Sequence, residues 1–367
     1  MNRREFNRIA GLSALSLQVL PAVSAAGLAK SDVDGLARVP LGVCDHALRG
    51  MRLTADQVLD YAISNRLDAV QLNSFRPLES RDDAYLKGLR DRAASHDIGF
   101  YLGAGSIDDS STRFRDSYGT GRELLREGIR VAVALGSPIV VCRIGTMEDR
   151  FTEGGIEPHI EAVSKTMRSL RSEALDAGVK FAFENHAGDL RTEELLPLIE
   201  ETGTDVCGAM FDFGNCVWAM ENPADAIERL GSHILCTSVR DAMVWGTDDG
   251  AIMQWTAVGA GLLDFPLYAK RIAELCPGVP FAVESISNSP RPIPFLTDEF
   301  WTGFPDLPAS GIADFLEMLR RGEPLEFLEP PAGTDQRSFD IAHQQAELKA
   351  SLDYLREHCH VGRKQAA

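Results

Sequence analysis

Three apolar runs in the chain of 367 residues each end in a carboxylate: Val179-Lys180-Phe181-Ala182-Phe183-Glu184, Ala209-Met210-Phe211-Asp212 and Pro280-Phe281-Ala282-Val283-Glu284. An ionisable group at the end of a buried strand is costly unless it is paired or holds a metal. Three carboxylates brought into one small space would not all ionise without a cation. A divalent metal held by Glu184, Asp212 and Glu284 meets that need, and oxygen-rich ligation suits Mn²⁺, Mg²⁺ or Co²⁺. Taken singly, each acid reads as readily as a helix cap or a surface ion pair. Asp212, before Phe213-Gly214-Asn215, also reads as a turn residue. Two further groups end strands. His46 follows the first, as a substrate contact or a hydrogen-bonded rim histidine. Arg143 ends the fourth, to bind an anionic or hydroxylated ligand or to neutralise the acids. Trp218, Trp245 and Trp255 are open to stacking on a sugar face, with packing the plainer reading.

The elements that must position these groups alternate regularly. Strand patterns at 41–44, 68–72, 98–102, 138–142, 179–184, 207–212, 233–239 and 280–284 are separated by helical ones, and a further helix follows the last. Thr54 opens the first helix, and Gly136 and Gly178 close later ones. Eight strand–helix units predict a closed (β/α)8 TIM barrel, with its site at the C-terminal ends of the strands. An open nucleotide-binding sheet is disfavoured, because Asp45-His46-Ala47 stands where a Gly-rich turn belongs. The segment 285–308, rich in proline and aromatics, reads as a wall or lid over the mouth or as a strap on the rim.

Several motifs then occur in a fixed order: Glu184-Asn185-His186, Asp212-Phe213-Gly214-Asn215, Ser238-Val239-Arg240-Asp241, Gly259-Ala260-Gly261-Leu262-Leu263-Asp264-Phe265 and Glu284. Across roughly 39–285 this order resembles the xylose-isomerase-like TIM barrels, the sugar phosphate isomerase/epimerase superfamily. The resemblance implies metal ligation by Glu184, Asp212 and Glu284. It also implies that the two glutamates act as acid and base, shuttling a proton next to a carbonyl. It gives His186 and Arg240 contacts to substrate oxygens and matches Asn215 to the family's Asp-x-Gly-[His/Asn] motif. Two positions depart from the pattern. Ser238 replaces the family's fourth ligand, a histidine, and Ala260 replaces an acid. Arg240 stands for the usual lysine, keeping the charge and changing its geometry.

Composition limits the partners. A formal net charge of −17 argues against broad nucleic-acid binding. That balance and Ser238 also disfavour the apurinic-endonuclease branch of the superfamily. Seven cysteines without a C-x-x-C pair read as buried apolar residues. Residues 1–26, with Arg3-Arg4-Glu5-Phe6, resemble a twin-arginine export signal and imply a periplasmic or extracellular address. No stable membrane span is expected in the mature chain. The barrel is expected over 39–325 and a C-terminal helical tail over 326–367, in which His358-Cys359-His360 reads as surface.

Together these features predict an exported, divalent-metal-dependent isomerase or epimerase. It would act on a carbohydrate by proton transfer through an enediolate, with a homo-oligomer left open. The rivals are a metal-dependent lyase or hydrolase on a keto-sugar or glycoside, and a non-catalytic sugar-binding barrel.

Overall fold

The structure is a computed structural model that describes residues 38–363. The proposed export signal at 1–26 lies outside the described residues. Eight parallel strands close a barrel: β1 (Leu41–Cys44), β2 (Ala69–Leu72), β3 (Gly99–Ser106), β4 (Ile139–Arg143), β5 (Lys180–Glu184), β6 (Cys207–Asp212), β7 (Ile234–Val239) and, after a hairpin, β10 (Phe281–Val283). The ring closes where β10 pairs with β1, Leu41 opposite Phe281 and Val43 opposite Val283.

The pleat explains why the functional groups share one mouth. Side chains alternate across a strand. Ile139, Val141, Ala182, Met210 and Cys236 form a cluster of their own inside the barrel. Val140, Phe181, Phe183 and Phe211 instead join the core beneath the helices. Counting in twos along the inner face of β4, β5, β6 and β7 reaches Arg143, Glu184, Asp212 and Ser238. The register pairs Ala282 with Ser238, so the residue two beyond it, Glu284, ends on the same face.

Thr54 opens its helix as expected, in a reciprocal cap with Gln57, and Gly136 closes its helix at φ 77° as expected. Thr120 forms the same kind of cap with Glu123. The helix expected up to Gly178 is two, Glu157–Ser169 and Arg171–Ala177, joined at Leu170. All seven cysteines are free and buried. No helix among the described residues is long and apolar enough to cross a membrane.

Two parts differ from the expectation. The long connection after β7 folds into a hairpin, β8 (Asp241–Thr247) and β9 (Gly250–Thr256), to which β11 (Arg291–Ile293) adds as a third antiparallel strand. Segment 285–308 therefore contributes a wall fixed by backbone pairing.

The helix Gln336–His358 is also no surface tail. It packs against the 45–51 turn and the barrel, with Leu348, Leu352 and Leu355 buried. Gln344 accepts from Gly50 N at 3.0 Å, Ser351 Oγ accepts from Val258 N at 3.0 Å, and Gly362 N donates to Val39 O at 2.9 Å. The helix lies against the outside of the barrel beside the first and last of its strands. Cys359 is buried, while His358, its ring 4.6 Å from that of Tyr354, and His360 are exposed at the surface as expected. A chain ending at residue 335 is expected to lose cooperative thermal unfolding, because three buried leucines and the β1–β10 seam lose their cover. A truncated protein with an unchanged melting curve would show that the helix is dispensable.

Candidate active site

Each carboxylate at the mouth is held by a cationic or hydroxyl group. Arg143 Nη1 donates to Glu184 Oε2 at 2.8 Å and to Asn73 Oδ1 at 3.1 Å. Arg240 Nε donates to Asp212 Oδ2 at 2.9 Å, and Arg240 Nη2 donates to the same oxygen. That Nη2 also lies 3.7 Å from Glu284 Oε2. Glu284 further accepts from Ser238 Oγ at 2.8 Å and meets His46 Nδ1 at 3.0 Å. Asn185 fixes β5 against β6, donating to Asp212 O at 3.0 Å and accepting from Asp212 N at 2.7 Å. Asp212 also caps the helix Phe213–Trp218 by accepting from Asn215 N.

The two glutamates are pushed in opposite directions. Burial raises the Glu184 carboxyl to about 7, against the pull of Arg143. Burial acts on Glu284 too, but the charge of Arg240 and the hydrogen bond from His46 outweigh it and hold that carboxyl well below the usual range. Asp212 is raised by burial, which Arg240 opposes. Burial, then the charge of Arg143, keeps His186 neutral, and its Nδ1 faces Gly145 O.

A wall stands beside these acids. Trp255 on β9 lies under the Arg240 guanidinium, 4.4 Å from ring centre to Cζ, and meets Trp218 edge-on at 5.5 Å. A methyl group at Gly214 would lie 2.4 Å from Trp255 Cδ1 and 2.8 Å from Arg240 Cγ, so only glycine lets that helix close on them. Several buried polar atoms around the mouth have no partner: Gln71 Nε2 and Oε1, Asn215 Nδ2 and Oδ1, Ser285 Oγ, and the indole nitrogens of Trp218 and Trp255.

The expected residues thus sort cleanly. Glu184, Asp212, Glu284, Arg143, Arg240, Asn215 and His46 meet at the mouth. His186 sits on its edge, where Asp189 ties its N–H and that of Gly145 together. Trp218 and Trp255 line the site, while Trp245 is buried on β8 opposite Ile252. The glycine motif is architectural. Asp241 accepts from the N–H groups of Gly259, Gly261 and Leu263 at 3.0, 3.1 and 3.0 Å, and Asp264 caps the next helix. Sequence reasoning missed Asn73, Gln71 and Arg291. The first two sit at inward positions of β2 and just beyond it, a spacing that could have flagged them.

Other side chains stand among the three acids of the expected metal trio. Among the described residues no three His, Cys, Asp or Glu side chains are grouped to hold a metal ion. The physical reason is that Arg240 lies between Asp212 and Glu284, where a shared cation would bridge them. The hydroxyl of Ser238, in place of the family's histidine, donates to Glu284 and is not turned outward as a ligand. A dication there would face a guanidinium at contact distance. This donor set does not fit a divalent metal.

Residues 59–299 match the family model described as "Xylose isomerase-like TIM barrel". Uncharacterized protein YihM of Escherichia coli (strain K12) is 24% identical over 235 residues, which are 63% of this chain and 65% of that relative. The fold is similar to D-psicose 3-epimerase from Clostridium cellulolyticum H10, solved with D-tagatose: TM-score 0.55, 12% identity, 87% of this chain and 99% of that one. It is also similar to the IOLI protein solved with a zinc atom: TM-score 0.52, 14% identity, 78% and 100% covered. With its closed barrel, its ordered strand-end acids and that match, the chain belongs to the xylose isomerase-like TIM barrel family.

Proposed function

We propose that this protein is a sugar isomerase or epimerase that moves a proton on a carbon next to a carbonyl. The observation that carries the reading is the pair of mouth glutamates whose surroundings push them in opposite directions, burial raising Glu184 while Arg240 and His46 hold Glu284 down. Environments that push two carboxyls apart assign a base and an acid. Glu284 takes the proton from carbon. The electron pair moves onto the carbonyl oxygen, and the enediolate is met by positive charge from Arg143 and Arg240 and by the free amide of Asn215. Glu184 then returns a proton to carbon, and solvent resets both groups. The arginines supply the charge that a divalent ion supplies elsewhere.

The test is deuterium exchange. The protein is dialysed against EDTA and incubated in D₂O with ketopentoses and ketohexoses. Deuterium is expected at the carbon beside the carbonyl, at the same rate with and without added Mn²⁺. Exchange that appears only with Mn²⁺ would overturn the arginine assignment. No exchange with any ketose, with or without metal, would overturn the proton-transfer reading.

A further inference from the structure

Glu184 and Glu284 have opposite duties in the proton-transfer reading, yet one unbroken set of contacts joins them across the mouth. Arg143 Nη1 spans Glu184 Oε2 at 2.8 Å and Asn73 Oδ1 at 3.1 Å. On the other side of the amide, Asn73 Nδ2 lies 3.3 Å from His46 Nδ1, which lies 3.0 Å from Glu284 Oε1. Asn73 is the middle member and the only amide in the set. Its main chain is held as closely. Asn73 N donates to Asp45 Oδ1 at 2.6 Å, on the residue before His46. A methyl group at Gly103 would lie 2.5 Å from Asn73 O, so β3 needs glycine there to let this turn pass.

The partners fix which way round the amide stands. A guanidinium only donates, so the atom that faces Arg143 must be the carbonyl oxygen, and the amide nitrogen is turned to His46. His46 Nδ1 therefore has a donor on one side and the Glu284 carboxylate on the other. Bare, it accepts from Asn73; protonated, it donates to Glu284. An amide accepts from a guanidinium at one end and donates to an imidazole at the other, over a span that a single hydroxyl does not cover.

We propose that Asn73 is a positioning residue that holds Arg143 against Glu184 and His46 against Glu284, and so sets both halves of the acid/base pair at once. This deepens the proposed function and rests on it for the duties of the two glutamates. The positioning itself stands on the hydrogen-bond geometry alone.

The test uses the full chain carrying Asn73→Leu, which keeps the bulk and removes both bonds, or Asn73→Asp, which keeps an acceptor for Arg143 and removes the donor to His46. The crystal structure of each variant reads positioning without turnover. Asn73→Leu is expected to release Arg143 and His46 from their carboxylates. Asn73→Asp is expected to leave Arg143 in place and to draw His46 from Glu284 towards the new carboxylate. Turnover is then measured with the ketose that the parent labels fastest in D₂O. Both variants are expected to lose about 10–100-fold in kcat with KM nearly unchanged, since a misplacement of about 1 Å can cost about 100-fold. Asn73→Gln, which has both ends of the amide, should recover part of that loss. Arg143 and His46 unmoved in Asn73→Leu, or a parental kcat with a raised KM, would overturn the proposal. A parent that labels no ketose would sink the proton-transfer reading, and the crystal structures would still decide the positioning.

Discussion

Glutamine in place of Glu284 should lower turnover by about 10²–10⁴-fold, the usual worth of a positioned acid or base. The barrel should stay folded, since the amide can still accept from Ser238 and His46. The effect is large because Glu284 is the acid held ionised, by Arg240 and His46, throughout the working range. A second signature separates its role from that of Glu184. Burial raises the Glu184 carboxyl to about 7, so its proton is present below that pH and lost above it. The rate should therefore fall as pH rises through neutrality. The linkage has the same sign: a carboxyl raised by folding favours the native state at low pH and loses that advantage as pH climbs through the folded value. Glu184→Gln should remove this falling limb along with most of the activity. A Glu284→Gln enzyme that turns over near the parental rate, or a parental rate level through neutral pH, would defeat the assignment.

Replacing Arg240 by methionine should cost about 3–5 kcal/mol of stability, the penalty for stranding one member of a buried ion pair. Arg240 and Asp212 are 3% and 0% exposed, so water cannot take the place of the guanidinium. Without it, burial acts on Asp212 unopposed and lifts its pKa further. The sign follows. With its folded pKa above the unfolded one, Asp212 is tolerated while protonated and destabilises as pH rises, so the variant should melt earlier at pH 8 than at pH 5. Adding Asp212→Asn should restore most of the loss, because asparagine keeps the helix cap and removes the charge. Urea unfolding of the parent, single and double variants at both pH values measures this. A single variant as stable as the parent at pH 8 would show that the pair is not a structural unit.

Much of the site was legible because parallel strands buried on both faces read as apolar runs. Glu184, Asp212 and Glu284 therefore stood out as charges where apolar residues belong. The strand count, the cap at Thr54, the stop at Gly136 and the order of motifs follow from equally local signals. What the sequence hid depends on contacts between distant segments. Arg291 reaches the mouth only because β11 pairs with β9, and nothing near it in the chain announces that pairing. The β8–β9 hairpin lies where a barrel connection is expected. Asn73 lacks any motif of its own, and only its spacing from β2 marks it. Arg240 could be read as a cation near substrate, but its bond to Asp212 and its position before Glu284 belong to the folded side chains. This difference turns an expected metal centre into a charge-paired one.

The hydrogen bond from Gly362 to Val39 and the pairing of β10 with β1 bear on how the chain assembles. Strand β1 emerges early in synthesis, yet one of its edges stays unpaired until Phe281–Val283 has been made, and its outer flank stays open until Gln336–His358 follows. An open apolar edge invites pairing with other chains, and closing so large a loop is slow. Ring closure and the docking of Gln336–His358 thus wait on the last-made parts of the chain, and the open edge of β1 is where association with another chain competes with them.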